Sequence, residues 1–106
     1  MKIQINAPNV EVPAAFEEFI EQRVQEVLKP FENQLTRVEV HLQDQNGNKG
    51  GADKRCLLEA RPRGLAPIAV ECTESTETDA VRKALDKLKN ALSHRIGRIS
   101  ERGRES

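Results

Sequence analysis

The sequence predicts an α+β fold, a two-layer sandwich in which both helices lie on one face of a four-stranded sheet. Four short stretches alternate polar and apolar residues, which is typical of half-buried strands. Two longer stretches place apolar residues three and four positions apart, which is typical of amphipathic helices. Their order along the chain is strand, helix, three strands, helix (β-α-β-β-β-α). Because each element has one apolar face, stacking the helices on one side of the sheet buries these faces together.

The first strand and the first helix are predicted on either side of a turn. The strand spans Lys2–Asn6, where polar and apolar residues alternate. Pro13 suits the first turn of a helix because its missing N–H is not needed there, and Pro30 should end this helix near Lys29. The buried stripe of the helix is predicted to contain Phe16, Ile20, Val24, Val27, Leu28 and Phe31. Its exposed face is mostly acidic, with Glu17, Glu18, Glu21, Gln22, Gln25 and Glu26.

The remaining three strands are predicted to form an antiparallel meander, whereas the crossover helix favours parallel pairing of the first strand with the second. They span Leu35–Gln43, Lys54–Arg61 and Pro67–Thr73. A turn centred on Gly64 would place Ala60 opposite Ile68, Leu58 opposite Val70, and Cys56 opposite Cys72. The open face of the sheet would show Lys2, Gln4, Arg37, Glu39, His41, Arg55, Glu59 and Arg61. These mixed charges indicate a solvated surface.

The two cysteines would face each other on the core side of the sheet. Such a pair is either a redox-active disulfide or two small buried thiols, and a reducing compartment favours the thiols. A zinc site would need Cys56, Cys72, His41 and His94 together, but no pair among them has CxxC or HxxxH spacing. No metal and no other cofactor is therefore predicted.

No enzymatic activity is predicted. The glycine-containing loop Asp44–Asp53 has neither Gly-Lys-Ser/Thr nor GxGxxG, so it lacks a phosphate-binding fingerprint. His41 is expected on the open sheet face and His94 on the exposed side of the last helix, and neither position indicates a pocket. Because a catalytic site needs a nucleophile, base or metal held in a cleft, the sequence argues against an enzyme.

The length and composition of the chain indicate one small, highly charged domain. The chain has 106 residues, of which 37% are hydrophobic and 32% charged, and this length suits a single core. We expect the domain to span residues 1–100 and residues 101–106 to form a frayed charged tail. No apolar run approaches the ~20 residues of a membrane span, and the N-terminus lacks the apolar region of a signal peptide. A cytoplasmic protein without a membrane partner is therefore expected.

The last helix is predicted over Thr76–Ile99 and carries the most uneven charge in the chain. Thr76, followed three residues later by Asp79, approximates a capping box. The apolar stripe consists of Val81, Ala84, Leu85, Leu88, Ala91, Leu92, Ile96 and Ile99. From Ala80 to Ile99 the cations are Arg82, Lys83, Lys87, Lys89, Arg95 and Arg98, against a single acid, Asp86. This charge fits either a solvated helix surface or a surface that binds a polyanion, and the charge pattern alone leaves both open.

The net charge of zero hides a gradient along the chain. Residues 1–34 hold three basic and six acidic residues, residues 35–73 six basic and five acidic, and residues 74–106 eight basic and six acidic. A polyanion site is therefore expected on the last helix and on loops near it. With three Phe and no Tyr or Trp, the chain is poor in the aromatic residues on which single-stranded bases stack.

Four stretches occur in an order and at spacings that are typical of one known family. They are MKIQINAPNVEV at the start, VLKPFENQLTRVEVHL after the first helix, DKRCLLEARP in a central strand, and DKLKNALSHR in the last helix. Through these stretches the chain resembles the ribosome hibernation promoting factors, also called ribosome-associated inhibitor A or sigma-54 modulation proteins. The resemblance covers about residues 1–96. In the last stretch the matching residues are Asp86, Lys87, Leu88, Leu92, His94 and Arg95.

The resemblance implies the same two-layer fold and a stress or stationary-phase protein. Such a protein would bind rRNA of the small ribosomal subunit at the decoding region, on the free subunit or in the 70S ribosome, and would silence translation and protect idle ribosomes. The residues implied to contact rRNA phosphates are Lys87, Lys89, His94 and Arg95, with Arg82, Lys83 and Arg98 nearby. Such contacts read RNA through its shape and backbone. No DNA partner is implied, and a monomer is expected because the chain stops at Ser106 without the dimerising domain of the long family members.

The chain departs from the family pattern in both helices. The first helix shows mainly Glu and Gln where family members carry several lysines. The last helix begins with Asp79-Ala80-Val81-Arg82-Lys83-Ala84 in place of Met-Tyr-Ala-Ala-Ile-Asp. The alternative function is therefore a divergent member that keeps the fold and acts as a protein-interaction or regulatory module with weak or no RNA binding.

Overall fold

The computed structural model describes residues 1–45 and 53–105, with side chains described up to residue 96. Its elements follow the predicted order, so the α+β class is confirmed. They are β1 (Lys2–Asn6), α1 (Ala14–Leu28), β2 (Leu35–Asp44), β3 (Lys54–Pro62), β4 (Ile68–Glu74) and α2 (Glu77–Glu105). A 3₁₀ turn, Lys29–Phe31, follows α1 and contains Pro30, whose missing N–H cannot continue the α-helical hydrogen bonds. Within the described residues, no helix is both long and apolar enough to cross a membrane.

The four strands form one sheet in the order β1-β2-β3-β4. β1 pairs with β2 in parallel, and the β2–β3 and β3–β4 pairs are antiparallel, as predicted. The register of the last hairpin is also confirmed: Ala60 lies opposite Ile68, Leu58 opposite Val70, and Cys56 opposite Cys72. Gly64 has a φ of 72° in the connecting turn, a left-handed conformation that glycine adopts without the strain of a side chain.

Both helices pack on one face of the sheet. α2 contacts β3 and β4, whereas α1 contacts β1 and α2. The side chains between the two layers are almost completely buried. They include Ile20, Val24 and Leu28 from α1, Val38, Val40, Leu42, Cys56, Leu58 and Ala60 from the sheet, and Val81, Ala84, Leu85, Leu88 and Leu92 from α2. The predicted two-layer sandwich is therefore confirmed, with its core between the helices and the sheet.

The two helices run side by side in the same direction. Phe16 near the start of α1 lines one cavity with Glu77 and Thr78 at the start of α2. Farther along both helices, the guanidinium of Arg82 lies over the ring of Phe19. Because the contacts advance together along both helices, the helices form a parallel pair, and the line along which they meet is called the groove between them below.

α2 ends later than the sequence predicts. Its apolar stripe stops at Ile99, but the helix continues to Glu105. The glycines of this segment do not end it, because a glycine inside a helix costs only about 1 kcal/mol relative to alanine. The expected helix end at Ile99 is therefore wrong. The division into a domain of residues 1–100 and a tail of residues 101–106 stays a prediction, and Ser106 lies outside the described residues.

Candidate nucleic-acid interface

α2 begins at a capped N-terminus. Thr76 Oγ1 accepts a hydrogen bond from the backbone N–H of Asp79, with an N···O distance of 3.2 Å. The Thr76 carbonyl accepts the N–H of Ala80 at 3.0 Å. Glu77 and Asp79 occupy the first turn, where the helix dipole favours anions. The acids of α2 thus gather at its start, and the cations follow from Arg82 onwards.

The buried stripe of α2 fixes the directions in which its cations point. The fully buried residues are Ala80, Val81, Ala84, Leu85, Leu88 and Leu92. Residues seven positions apart lie on nearly the same side of an α-helix, so Arg82 aligns with Lys89, and Lys87 aligns with His94. The cations therefore lie along two edges of the helix rather than on one face. The edge beside α1 carries Arg82 and Lys89, and the edge beside β4 carries Lys83, Lys87 and His94.

The cations on the β4 edge lie against acceptors of the sheet. Lys83 Nζ donates a hydrogen bond to Glu74 Oε1 at 2.7 Å, and Lys87 Nζ donates one to the carbonyl oxygen of Glu71 at 2.9 Å. This hydrogen bond to Glu74, followed by the charge of that carboxylate, raises the pKa of Lys83. The same bond lowers the pKa of Glu74. His94 is exposed on this edge. The positive charge of the edge is thus partly neutralised within the protein itself.

The cations on the α1 edge border the groove between the helices. Arg82 Cζ lies 5.7 Å from the centroid of the Phe19 ring, which is a cation–π contact. Phe19 in turn stacks on Phe16, with ring centroids 6.1 Å apart. Lys89 is exposed about two turns farther along. Asp86, the single acid of the helix between Ala80 and Ile96, lies between the two cations in sequence.

Arg23 adds a cation to this groove from α1. It lies one turn after Phe19, on the edge of α1 that faces α2. Its Nη1 is 3.6 Å from Glu26 Oε2, and its buried Nε has no hydrogen-bond partner among the described residues. Arg23 was not among the site residues expected from the sequence, although its four-residue spacing from Phe19 could have placed it here. Phe19, Arg23, Arg82 and Lys89 together are called the interhelical patch below.

Arg95 is directed toward the sheet. It lies seven residues after Leu88 and is therefore aligned with the buried stripe, where it is half-buried. Its Nη1 donates a hydrogen bond to the carbonyl oxygen of Ala66, in the β3–β4 turn, at 3.1 Å. Arg98 belongs to the residues whose side chains lie outside the described part of the chain. The predicted rRNA residues are thus distributed over two edges and the sheet side of α2, and their contact with rRNA stays a prediction.

The outward face of α1 is acidic, in agreement with the sequence. Its exposed residues include Glu17, Glu18, Gln22, Gln25 and Glu26. Among them, Glu26 lies seven residues after Phe19 and pairs with Arg23, so it borders the groove. A polyanion that approaches the helical layer would therefore meet favourable charge over α2 and the groove, and unfavourable charge over α1.

The open face of the sheet is charged but internally paired. The Glu39 side chain, which is 14% exposed, lies 2.9 Å from Arg37, 3.3 Å from Arg61 and 3.2 Å from His41. Arg61 also pairs with Glu59 at 3.0 Å. Opposite charges thus compensate one another here. This arrangement agrees with the solvated surface expected from the sequence and does not resemble a polyanion site.

The described residues contain two free thiols, Cys56 and Cys72. Cys56 is fully buried, and this burial, with a smaller contribution from Cys72, raises its pKa to about 12. Among these residues, no three His, Cys, Asp or Glu side chains cluster as metal ligands would. The sheet therefore holds two free thiols on its core side, and the raised pKa keeps the Cys56 thiol protonated at neutral pH.

Solved structures contain the same fold. The chain is similar to a ribosomal subunit interface protein from Coxiella burnetii, with a TM-score of 0.77 and 18% identity over 92% of this chain and 99% of that chain. It is also similar to the N-terminal domain of Protein Y from Thermus thermophilus, with a TM-score of 0.72 and 20% identity over 89% of this chain and 98% of that chain. At these identities the similarity establishes the fold.

The sequence also matches a family model along most of its length. No curated protein matches the chain, but the family described as sigma 54 modulation protein / S30EA ribosomal protein matches residues 3–100. This range runs from β1 to α2 and includes the interhelical patch. The chain therefore belongs to the sigma 54 modulation protein / S30EA ribosomal protein family.

Proposed function

We propose that the protein is a ribosome-associated translation inhibitor, a hibernation factor that binds small-subunit rRNA at the decoding region through α2. Family membership supports a ribosomal partner, and the similar protein from Coxiella burnetii is itself described as a ribosomal subunit interface protein. The interhelical patch is the observation that best supports α2 as the RNA-binding surface. Its cations lie along one groove, and Lys89 has no acid partner among the described residues.

A long, rigid helix suits this role. α2 has 29 residues, which corresponds to roughly 43 Å at the α-helical rise. Its buried stripe holds it against β3 and β4, so cations on its surface have fixed relative positions. Cations fixed in this way contact the sugar–phosphate backbone and recognise the shape of folded RNA rather than a base sequence.

Co-sedimentation with ribosomes tests the proposal. The purified protein is centrifuged with small subunits and with 70S ribosomes at about 50 mM and about 200 mM salt, because affinity for a polyanion falls steeply over this range. We expect binding at the lower salt and its progressive loss at the higher salt. Footprinting of the bound rRNA then tests the decoding region. Absence of binding at the lower salt would contradict a ribosomal partner.

Charge-reversed variants test the surface. The variant Arg82→Glu/Lys89→Glu should bind at least about tenfold more weakly, and the slope of log affinity against log salt should decrease by about 2. The control Lys2→Glu/Lys29→Glu makes the same change in net charge at exposed residues outside α2. Equal losses in both variants would show that only net charge matters, and would reject the interhelical patch as the contact surface.

A second function is favoured by the acidic face of α1. Glu17, Glu18 and Glu26 are exposed on α1, so the helical layer presents both signs of charge. A protein-interaction module with weak RNA binding would use such a surface for a protein partner. Under this alternative, ribosomes would not sediment the protein at either salt concentration, and the variant in α2 would behave like its control.

A further inference from the structure

Cys56 and Cys72 lie directly opposite each other in the antiparallel β3–β4 ladder. Opposed residues in such a ladder have Cα atoms about 4.5–5.5 Å apart, and disulfides form at Cα separations of about 4.4–6.8 Å. The two thiols are also near enough to interact electrostatically. The backbone therefore needs little movement to accept a bond between them.

The two thiols differ in access. Cys56 is fully buried beneath the helices, whereas Cys72 is only partly buried because β4 is an edge strand of the sheet. Cys72 Sγ donates a hydrogen bond to Glu74 Oε2 at 3.7 Å, and Lys83 binds the other oxygen of the same carboxylate. A small reagent can reach Cys72, while Cys56 is reached through Cys72.

We infer that Cys56 and Cys72 form a dithiol redox site that is oxidised by a small disulfide of the glutathione type. The thiolate of Cys72 attacks one sulfur of the oxidant, which forms a mixed disulfide and releases one small thiol. The thiolate of Cys56 then attacks Cys72 Sγ, which forms the bond between the strands and releases the second small thiol. Two protein thiols are thereby oxidised by two electrons, one disulfide is reduced, and the two protein protons end on the released thiols.

The burial of Cys56 sets the rate of the second step. Burial holds the pKa of this thiol at about 12, so the thiolate that attacks Cys72 is scarce at neutral pH. The rate of closure should therefore rise about tenfold per pH unit below that pKa. The first step depends on the more accessible Cys72 and should be faster. This site is independent of ribosome binding and would operate under either proposed function.

Mass spectrometry of the full chain tests the inference. The reduced protein is incubated with oxidised glutathione, quenched by alkylation at several times, and digested with trypsin. We expect a transient glutathione adduct on Cys72, followed by a product that has lost two hydrogen atoms. In that product the tryptic peptide that begins at Cys56 should be linked to the peptide that begins at Gly64. The oxidised protein should also melt roughly 10 °C higher than the reduced protein, because the bridge constrains the unfolded chain.

Three results would overturn the inference. They are a mixed disulfide on Cys72 that persists without closure at raised pH, no reaction of either thiol in the folded protein, and a disulfide between two chains. The Cys56→Ala variant should stop at the adduct on Cys72, and the Cys72→Ser variant should form no adduct. Because Cys72 is only partly buried, the Cys72→Ser variant should fold even if the Cys56→Ala variant folds poorly. An adduct on Cys56 in the Cys72→Ser variant would reject the proposed order of attack.

Discussion

The guanidinium of Arg82 lies over the ring of Phe19, with Cζ 5.7 Å from the ring centroid. This contact joins a cation of α2 to an aromatic side chain of α1. Phe19 in turn stacks on Phe16. A cation–π contact at an exposed site contributes about 0.5–1 kcal/mol. The contact therefore favours the orientation of Arg82 in which its guanidinium lies over Phe19.

Replacing the aromatic ring tests whether this orientation matters. The Phe19→Leu variant keeps an apolar side chain but removes the ring quadrupole that attracts Arg82. We expect ribosome affinity to fall about two- to fivefold, which corresponds to the loss of about 0.5–1 kcal/mol. Co-sedimentation at low salt measures it. An unchanged affinity would show that Arg82 needs no support from Phe19. Circular dichroism of the variant, compared with that of the parent, checks that the variant is folded.

Removing the Glu74 carboxylate should strengthen RNA binding. Lys83 Nζ is held by Glu74 Oε1 at 2.7 Å, so the Glu74→Gln variant releases the ammonium and removes one negative charge from the β4 edge. We expect the affinity for small subunits to rise about threefold at low salt. The control Glu32→Gln removes a carboxylate at an exposed position away from α2. An equal rise in both variants would attribute the effect to net charge instead of to Lys83.

The same ion pair predicts a pH dependence of stability. The pKa of Glu74 is lowered from 4.5, so its contribution is present above that value and is lost as the pH falls through the lowered pKa. The pKa of Lys83 is raised from 10.5, so its contribution is present below that value and is lost as the pH rises through the raised pKa. Because the Lys83 side chain is 60% exposed, solvent screens the pair and its contribution to the free energy of unfolding should be small.

Urea unfolding measures this contribution as the difference in unfolding free energy between the parent and the Glu74→Gln variant. The difference should be constant between the two ordinary pKa values and should shrink in acid below pH 4.5 and in base above pH 10.5. A difference that stays constant into strong acid would show that the ion pair does not stabilise the fold.

Truncation of Leu88 tests the core beneath the interface. Leu88 is fully buried between α2 and the sheet, so the Leu88→Ala variant leaves a cavity and should lower the free energy of unfolding by roughly 2–5 kcal/mol. The volume-conserving control Leu88→Met should cost less than about 1.5 kcal/mol. Urea unfolding measures both. Similar small losses in the two variants would show that the surroundings of Leu88 collapse around the change and that its packing is not critical.

Local sequence patterns are sufficient to predict the elements, their order and much of their pairing. The alternation in Lys2–Asn6 and in the three later strands, and the helical spacing of the two apolar stripes, are local patterns that each segment carries alone. The turn at Gly64 needs a left-handed residue, which sets the register and places Cys56 opposite Cys72. The basic surface of α2 and the acidic surface of α1 can also be predicted, because the residues of a helix and the helical repeat together determine which charges are exposed.

The contacts that those charged side chains make depend on how the elements pack together. Packing against β3, β4 and α1 fixes the rotation of α2, and this rotation divides its cations between two edges. The neighbours then set the role of each: Glu74 binds Lys83, the Ala66 carbonyl holds Arg95, and the Phe19 ring lies beneath Arg82. These partners are distant in sequence, so no local pattern contains them. The helix also continues past Ile99, since its apolar stripe determines where it packs, whereas backbone hydrogen bonding determines where it ends.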